Sequence, residues 1–361
     1  GAGLRARGSL LGLALLLEQG HLDVAAALAE QVSETEGPDG SLALARALLA
    51  LGDGTAAREE IRQLQTAAPG HALVLSGLFL LARWGLEQNA FEAVHAVTQE
   101  ILALDLAPQD RAYALLLNGE AYRREGQSGE ARSQFELVRD SQAVGQLGWT
   151  ALLRLAQMDM EAREFSRAAA GSAQILTQAL PYDVRALALL LHAEALYRAR
   201  DWDTSAQGFR RFLSEFPGHP QAGAAALSLG WAELRRGNNA AARERWVAFA
   251  RFFPADPRAP EALLLAGELA GEAGDPGAMD LLDQLLARYP AYAQADVAHL
   301  NRATLNLRAG RSREAHEELV ALLKQSPLSP FVGRARLALG AALVALGRAA
   351  DAQREFKEAL Q

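Results

Sequence analysis

The stretch Ala114-Leu115-Leu116-Leu117-Asn118-Gly119-Glu120 returns as Ala188-Leu189-Leu190-Leu191-His192-Ala193-Glu194, and again as Ala262-Leu263-Leu264-Leu265-Ala266-Gly267-Glu268. Each copy lies 74 residues after the one before. Halfway between them stand weaker copies, Ala151-Leu152-Leu153-Arg154-Leu155-Ala156-Gln157 and Ala225-Ala226-Leu227-Ser228-Leu229-Gly230-Trp231. The elementary period is therefore 37 residues. Self-similarity at a fixed period in this range marks a chain of stacked supersecondary units, each unable to bury its apolar faces alone.

Working outward from the repeated phrase, every copy follows one plan. The phrase belongs to a helix that ends in a break such as Arg123-Arg124-Glu125-Gly126 or Arg235-Arg236-Gly237-Asn238. Glycine there permits the left-handed residue that stops a helix. About five residues on comes a small residue, then a large apolar one four later: Ala131 with Phe135, Ser205 with Phe209, Ala242 with Trp246, Ala315 with Leu319, Ala352 with Phe356. A spacing of four puts both on one face of a second helix. The small residues recur at Ala25, Ala57, Ala93, Ala131, Ala168, Ser205, Ala242, Ala278, Ala315 and Ala352. Proline closes many units, at Pro69, Pro217, Pro254, Pro290 and Pro327, where it prevents the second helix from continuing.

This pattern resembles the tetratricopeptide repeat (TPR). The segment from Leu229-Gly230 through Gly237, Ala242, Trp246 and Pro254 carries it, as does the segment with Leu339-Gly340, Gly347, Ala352, Phe356 and Ala359. The resemblance covers nearly the whole chain and implies an all-α fold, a right-handed superhelical α-solenoid of about ten helix pairs. It is read as one array over 1–361, irregular over 1–110 and more regular over 111–361. Most units run near 37 residues where the family standard is 34, and the stretch Gly274-Asp275-Pro276-Gly277 departs from the pattern. Phrases such as Phe253-Pro254-Ala255-Asp256-Pro257 and Ser326-Pro327-Leu328-Ser329-Pro330 resemble repeats of bacterial envelope TPR proteins, among them the Tol-Pal coordinator and outer-membrane assembly lipoproteins.

In that family the first helix of each pair lines a concave groove. Carried over, one groove position reads Leu116, Leu153, Leu190, Leu227, Leu264, Leu300 and Leu337. Four residues later stand Glu120, Gln157, Glu194, Trp231, Glu268, Thr304 and Ala341, and three further on Arg123, Met160, Tyr197, Leu234, Gly271, Leu307 and Val344. The partner-binding residues expected from the last two rows are Glu120, Arg123, Gln157, Glu194, Tyr197, Trp231, Leu234, Glu268, Thr304 and Leu307. Large aromatics such as Trp231 and Tyr197 are enriched among binding hot spots. Spaced glutamates would accept from a partner's Arg, Lys or backbone amides. The implied partners are proteins or peptides with apolar and basic residues. Groove positions of the family's carboxylate-clamp type need Lys and Asn, and here they are Glu120, Glu194 and Trp231, which speaks against an acidic chaperone tail.

Composition narrows the function classes. Half of the 361 residues are hydrophobic, enough for a large core. The formal net charge is −7 and no basic stripe exists to neutralise phosphates, so nucleic acid is not an expected partner. The absence of cysteine excludes disulfides and thiolate chemistry. No apolar run reaches the ~20 residues needed to span a bilayer; Leu10 to Leu17 is read as a helix. The seven histidines form no two-histidine zinc motif, and there is no phosphate loop. The expectation is a non-enzyme with no cofactor and no metal. It would act as a scaffold in a bacterial envelope, pilus or motility assembly, periplasmic or outer-membrane-associated, with a cytoplasmic location as the alternative. The ending after a second helix, at Gln361, suggests self-association through an uncapped end. The competing reading is the helical region of a larger enzyme such as a peptidoglycan lyase or glycosyltransferase.

Overall fold

The structure, a computed structural model, describes residues 12–13, 15–16, 19–141 and 145–360. Of the Leu10 to Leu17 helix, Gly12, Leu13, Leu15 and Leu16 are described and are helical. The termini Gly1-Ala2-Gly3 and Gln361 lie outside the described residues. Among the described residues all regular structure is α-helical. The chain divides into two compact units, 1–179 and 180–361.

The first unit holds α1 (Leu22–Glu36), α2 (Pro38–Ala50), α3 (Gly54–Ala67), α4 (Ala72–Glu87), α5 (Phe91–Leu102), α6 (Pro108–Arg124), α7 (Ser128–Asp140), α8 (Gln146–Glu161) and α9 (Phe165–Leu176). The second holds α10 (Tyr182–Arg198), α11 (Trp202–Glu215), α12 (Ala222–Arg235), α13 (Asn239–Phe252), α14 (Ala259–Glu272), α15 (Gly277–Arg288), α16 (Ala295–Arg308), α17 (Ser312–Gln325), α18 (Val332–Ala345) and α19 (Ala349–Glu358). From α2 onward they pair as first and second helices. In the first unit α2 touches α4, α4 touches α6 and α6 touches α8; in the second α14 touches α16 and α16 touches α18. Second helices make no comparable contact with one another. Within each unit, then, the first helices form the inner layer and the second helices the outer one.

The turn inside each pair sets the period. Left-handed residues stand at Gly52, Asn89, Gly126, Arg163, Arg200, Gly237, Gly274, Gly310 and Gly347. The step is 37 residues except between Gly274 and Gly310, where it is 36. The same step holds through Gly52 and Asn89, inside the stretch that the sequence reads as irregular. There the break is carried by Asn89, which glycine counting misses. At Arg163 and Arg200 a side chain is held at φ +62° and +67°. A β-carbon in this region costs about 1–2 kcal/mol. Arg200→Gly is therefore expected to raise the denaturation midpoint, by an equivalent of about 0.5–1 kcal/mol after the unfolded-state entropy of glycine is counted. A neutral or destabilising result in a urea titration would show that Arg200 supplies something beyond the turn.

The residue after several of these turns caps the second helix. Asp53 accepts from the Ala56 amide at 2.8 Å, Asp201 from Thr204 at 3.2 Å and Asn238 from Ala241 at 3.4 Å. At the other end, Pro69, Pro217, Pro254, Pro290 and Pro327 each stand two residues beyond a second helix. The residues before them, including Phe216 (φ −133°, ψ 51°) and Phe253 (φ −124°, ψ 56°), have left the helical region, as pre-proline sterics require.

The expected small-residue row is buried at Ala25, Ala57, Ala131, Ala168, Ser205, Ala242, Ala278, Ala315 and Ala352. Ala93 is a correction. It is exposed, and its neighbour Val94 takes the buried position and packs over Gly85. The residue four later packs against the first helix of its own pair, where close approach is secured by glycine. A β-carbon on Gly119 would lie 2.8 Å from the Phe135 ring, on Gly230 2.2 Å from Trp246 and on Gly340 2.3 Å from Phe356.

Candidate functional site

In the first unit Glu120 stands at the centre of a cluster of ion pairs between first helices. It sits on α6 with its side chain 13 % exposed, and it is already satisfied within the chain. Arg123 reaches it at 2.7 Å, Arg124 at 3.2 Å, and Arg154 from the next first helix, α8, at 3.2 Å. Gln157, the next position of the same row, accepts from Arg154 Nη1 at 2.9 Å. Glu120, Arg123 and Gln157 thus come together as a lock between α6 and α8. Glu120 is spent on that lock and is no free acceptor for a partner. Arg124 extends it: its Nη1 donates to the Leu86 carbonyl, at the C-terminal end of α4, at 2.9 Å.

Burial raises the Glu120 pKa, but the guanidinium groups of Arg123, Arg154 and Arg124 outweigh it and leave the carboxyl below its usual range. A carboxylate depressed on folding stabilises the native state above its unfolded pKa of about 4.3 and loses that contribution as pH falls through the lower folded value. Acidification below about pH 4.3 should therefore lower the melting temperature of the wild type more steeply than that of Glu120→Gln. Parallel melting curves would show that the lock carries no net stability.

In the second unit the expected residues fall on four first helices. On α10, Glu194 is half exposed, 4.0 Å from Arg198, and Tyr197 packs edge-on against Trp202 with ring centroids 5.2 Å apart. On α12, the half-buried Trp231 packs edge-on against the fully buried Trp246 at 5.0 Å, beside Leu234. On α14, Glu268 accepts from Asn301 Nδ2 of α16 at 3.0 Å, repeating at a second place the carboxylate tie seen at Glu120. On α16, the Thr304 hydroxyl donates to the Leu300 carbonyl at 2.8 Å, and Leu307 packs against the core that α16 shares with α17, α18 and α19.

Glu268 and Thr304 come together in a cavity of about 290 Å³ that is built only from first helices. It is lined by Gly267, Glu268, Gly271 and Glu272 of α14, Asn301, Thr304, Leu305 and Arg308 of α16, and Arg334 of α18. Arg308 Nη1 donates to the Gly271 carbonyl at 3.1 Å, the counterpart of the Arg124 bond to Leu86. Glu272 and Arg334 form no ion pair among the described residues. The cavity thus offers a carboxylate and a guanidinium without an ion-pair partner, the guanidinium lying 5.8 Å over the Phe331 ring, and the Asn301 carbonyl and Thr304 hydroxyl oxygens as acceptors around the apolar Leu305. Such a mixed lining suits a peptide segment, whose backbone and side chains present both donors and acceptors.

Sequence reasoning missed Asn301, Leu305, Arg308 and Arg334. Glu268 and Thr304, which it named, do line the cavity. The leucine row is buried between helices at Leu116, Leu153, Leu227, Leu264 and Leu300, while Leu337 is 48 % exposed. The accessible stripe of α16 is Asn301, Thr304, Leu305 and Arg308, a spacing of i, i+3, i+4, i+7. Its signal was the row one residue after the leucines, which turns polar at Arg154, Ser228 and Asn301.

Among the described residues no group of three or more His, Asp or Glu side chains is placed to hold a metal, and no helix is long and apolar enough to cross a membrane. No curated protein matches the chain. The fold is similar to the crystal structure of the C-terminal part of a TPR repeat-containing protein from Cytophaga hutchinsonii. That similarity has 13 % identity and a TM-score of 0.55, and covers 71 % of this chain and 98 % of that one. It is also similar to the apo form of RapI, with 9 % identity and a TM-score of 0.51, over 89 % of this chain and 97 % of that one. One tetratricopeptide repeat model matches residues 14–72, 190–255 and 300–361, and a second matches 261–292. With the first of these covering just over half of its length, and with helix pairs turning at a 37-residue step, the chain belongs to the tetratricopeptide repeat family.

Proposed function

We propose that the protein is a non-catalytic scaffold that binds a peptide segment of a partner protein along the first-helix face of its second unit. The observation that carries this reading is the cavity between α14, α16 and α18, with Glu272 and Arg334 unpaired at its edge. The partner segment would place a basic group at Glu272, an acidic group or chain terminus at Arg334, and an apolar side chain on Leu305. This keeps the apolar and basic partner expected from the sequence and adds an acidic element. Trp231 and Tyr197 extend the same layer toward α12 and α10, and their half-buried rings would offer edges to an elongated partner. The proline-bearing phrases between units, which resemble those of envelope TPR proteins, support a place in a bacterial envelope assembly.

The test is affinity capture from a lysate of the source organism by the intact protein and by an Asn301→Ala, Arg334→Glu variant. Both positions line the cavity and neither belongs to the buried core. The expected result is a small set of proteins captured by the intact form and reduced at least tenfold by the variant. Equal capture by both forms would remove this face as the binding site. Fractionation addresses the compartment, where an exclusively cytosolic pool would overturn the envelope assignment.

A further inference from the structure

The outer layer of the second unit carries a second groove, remote from the first-helix face. It lies between the parallel second helices α13 and α15, has a volume of about 640 Å³, and is floored by Val247, Ala248 and Leu281. Phe252 stands at its far end with 66 % of its surface exposed, and the Arg251 guanidinium lies over its ring at 4.9 Å.

Comparison between repeats separates the part of this apolar surface that core packing uses, at Val247 and Leu281, from the part that it does not. The buried residues of α13 align with those of α11 at a distance of 37: Ala242 with Ser205, Trp246 with Phe209, Phe249 with Phe212. By the same register Val247 stands where α11 has Arg210, Ala248 where it has Arg211, and Phe252 where it has Glu215. Val247 replaces Arg210 together with Ala270 replacing its buried partner Glu233, so that position stays a packing contact, whereas Ala248 and Phe252 replace Arg211 and Glu215, which pair with each other at 2.7 Å on the surface of α11. In α17 the matching positions are Val320 and Ala321, so the apolar pair recurs there, but at the position of Phe252 the helices α11, α15 and α17 carry Glu215, Arg288 and Gln325, and among these four only α13 exposes an aromatic ring.

The charges at the two ends differ. Glu244 and Asp280 are exposed at the N-terminal end of the groove and form no ion pair among the described residues. Arg251 stands at the C-terminal end without a carboxylate partner, whereas Arg243 is engaged by Asp275. From Glu244 to Phe252 the groove spans eight residues, or about 12 Å, a little over two helical turns.

We infer that this groove docks a short amphipathic helix of a partner protein, lying antiparallel to α13. Two apolar side chains four residues apart would sit on Val247, Ala248, Leu281 and Phe252. An acidic N-terminal turn would face Arg251, and a basic C-terminal turn would face Glu244 and Asp280. That charge order also agrees with the macrodipole of the incoming helix, which favours acids at its start and bases at its end.

The experiment is a display selection on the full chain with a library of helical peptides, counter-selected on the Phe252→Glu variant, followed by fluorescence anisotropy with synthetic peptides. Circular dichroism verifies that Phe252→Glu and a second variant, Ala248→Arg, remain folded; both introduce residues that α11 already carries at the matching surface positions, Glu215 and Arg211. The expected result is enrichment of acidic-apolar-apolar-basic sequences that bind at least tenfold more weakly to either variant. Binding should also weaken when the peptide charge order is reversed and when salt is raised to 1 M. The inference is overturned if no sequence is enriched, if the peptides bind both variants unchanged, or if charge reversal has no effect. It is equally overturned if sedimentation shows a dimer that Phe252→Glu dissolves, since the occupant would then be a second copy of the chain.

Discussion

Gly230→Ala is expected to destabilise the second unit by about 1–3 kcal/mol, the usual range for overpacking a filled core. The new methyl would lie 2.2 Å from Trp246 Nε1 and 2.5 Å from its Cδ1. Trp246 has nowhere to retreat. It is fully buried, its Nε1 donates to the Leu227 carbonyl at 3.4 Å, and Trp231 covers it edge-on. A smaller partner should relieve the clash, because Gly267 faces Leu282 in the next pair, where the corresponding contact is 2.9 Å to a branched side chain. Trp246→Leu alone leaves a cavity and should cost about 2–5 kcal/mol, by analogy with other large-to-small core changes. The double variant Gly230→Ala, Trp246→Leu should then be less destabilised than the two single costs added together. Urea midpoints of the four proteins measure the coupling directly. Additive costs would mean that the methyl and the indole do not compete for the same space. Because Trp231 rests on Trp246, the single Gly230→Ala variant should also shift the Trp231 fluorescence and so report on the partner-facing layer.

These contacts show how unevenly the fold is written in the sequence. Glycines at 126, 237 and 347 announce their turns, and the small-large pairs Ala131 with Phe135 and Ala242 with Trp246 announce their helices, because these positions tolerate few residue types. Asn89, Arg163 and Arg200 hold the same left-handed turn with side chains that carry no such signature, since one strained residue per pair can be offset by the packing around it. Ala93 misled for the reverse reason. Alanine is common on every face of this chain, and the burial of Val94 depends on its fit over Gly85, which periodicity alone does not reveal. The site is less legible than the fold. A rotation of one residue, about 100° around the helix, separates the buried Leu300 from the accessible Asn301. Glu120 read as a free acceptor because the three arginines that occupy it come from two helices, one of them in the next pair.

The same kind of cross-pair charge yields the second large expected effect. Glu233 on α12 is 1 % exposed, and its carboxylate receives Arg210 from α11 of the preceding pair, Arg236 at 2.9 Å and the Asn238 amide at 3.4 Å. Arg210→Ala with Arg236→Ala would leave that carboxylate buried with only the amide, and stripping the partners from a buried charge typically costs about 3–5 kcal/mol. Adding Glu233→Leu to the double variant should recover most of the loss, since a packed apolar side chain replaces a charge that must otherwise be desolvated. The location matters as much as the magnitude. Arg210 and Glu233 sit on consecutive pairs, so the double variant weakens the interface between neighbours more than either pair itself. Repeat arrays unfold as coupled nearest-neighbour units, and weakening one interface lowers cooperativity. The melting transition of the Arg210→Ala, Arg236→Ala variant should therefore broaden or split, while Gly230→Ala, which acts inside one pair, should shift it without splitting. A loss below about 1 kcal/mol with an unchanged transition width would mean that water reaches Glu233 and that the pair boundary is held by its apolar contacts alone.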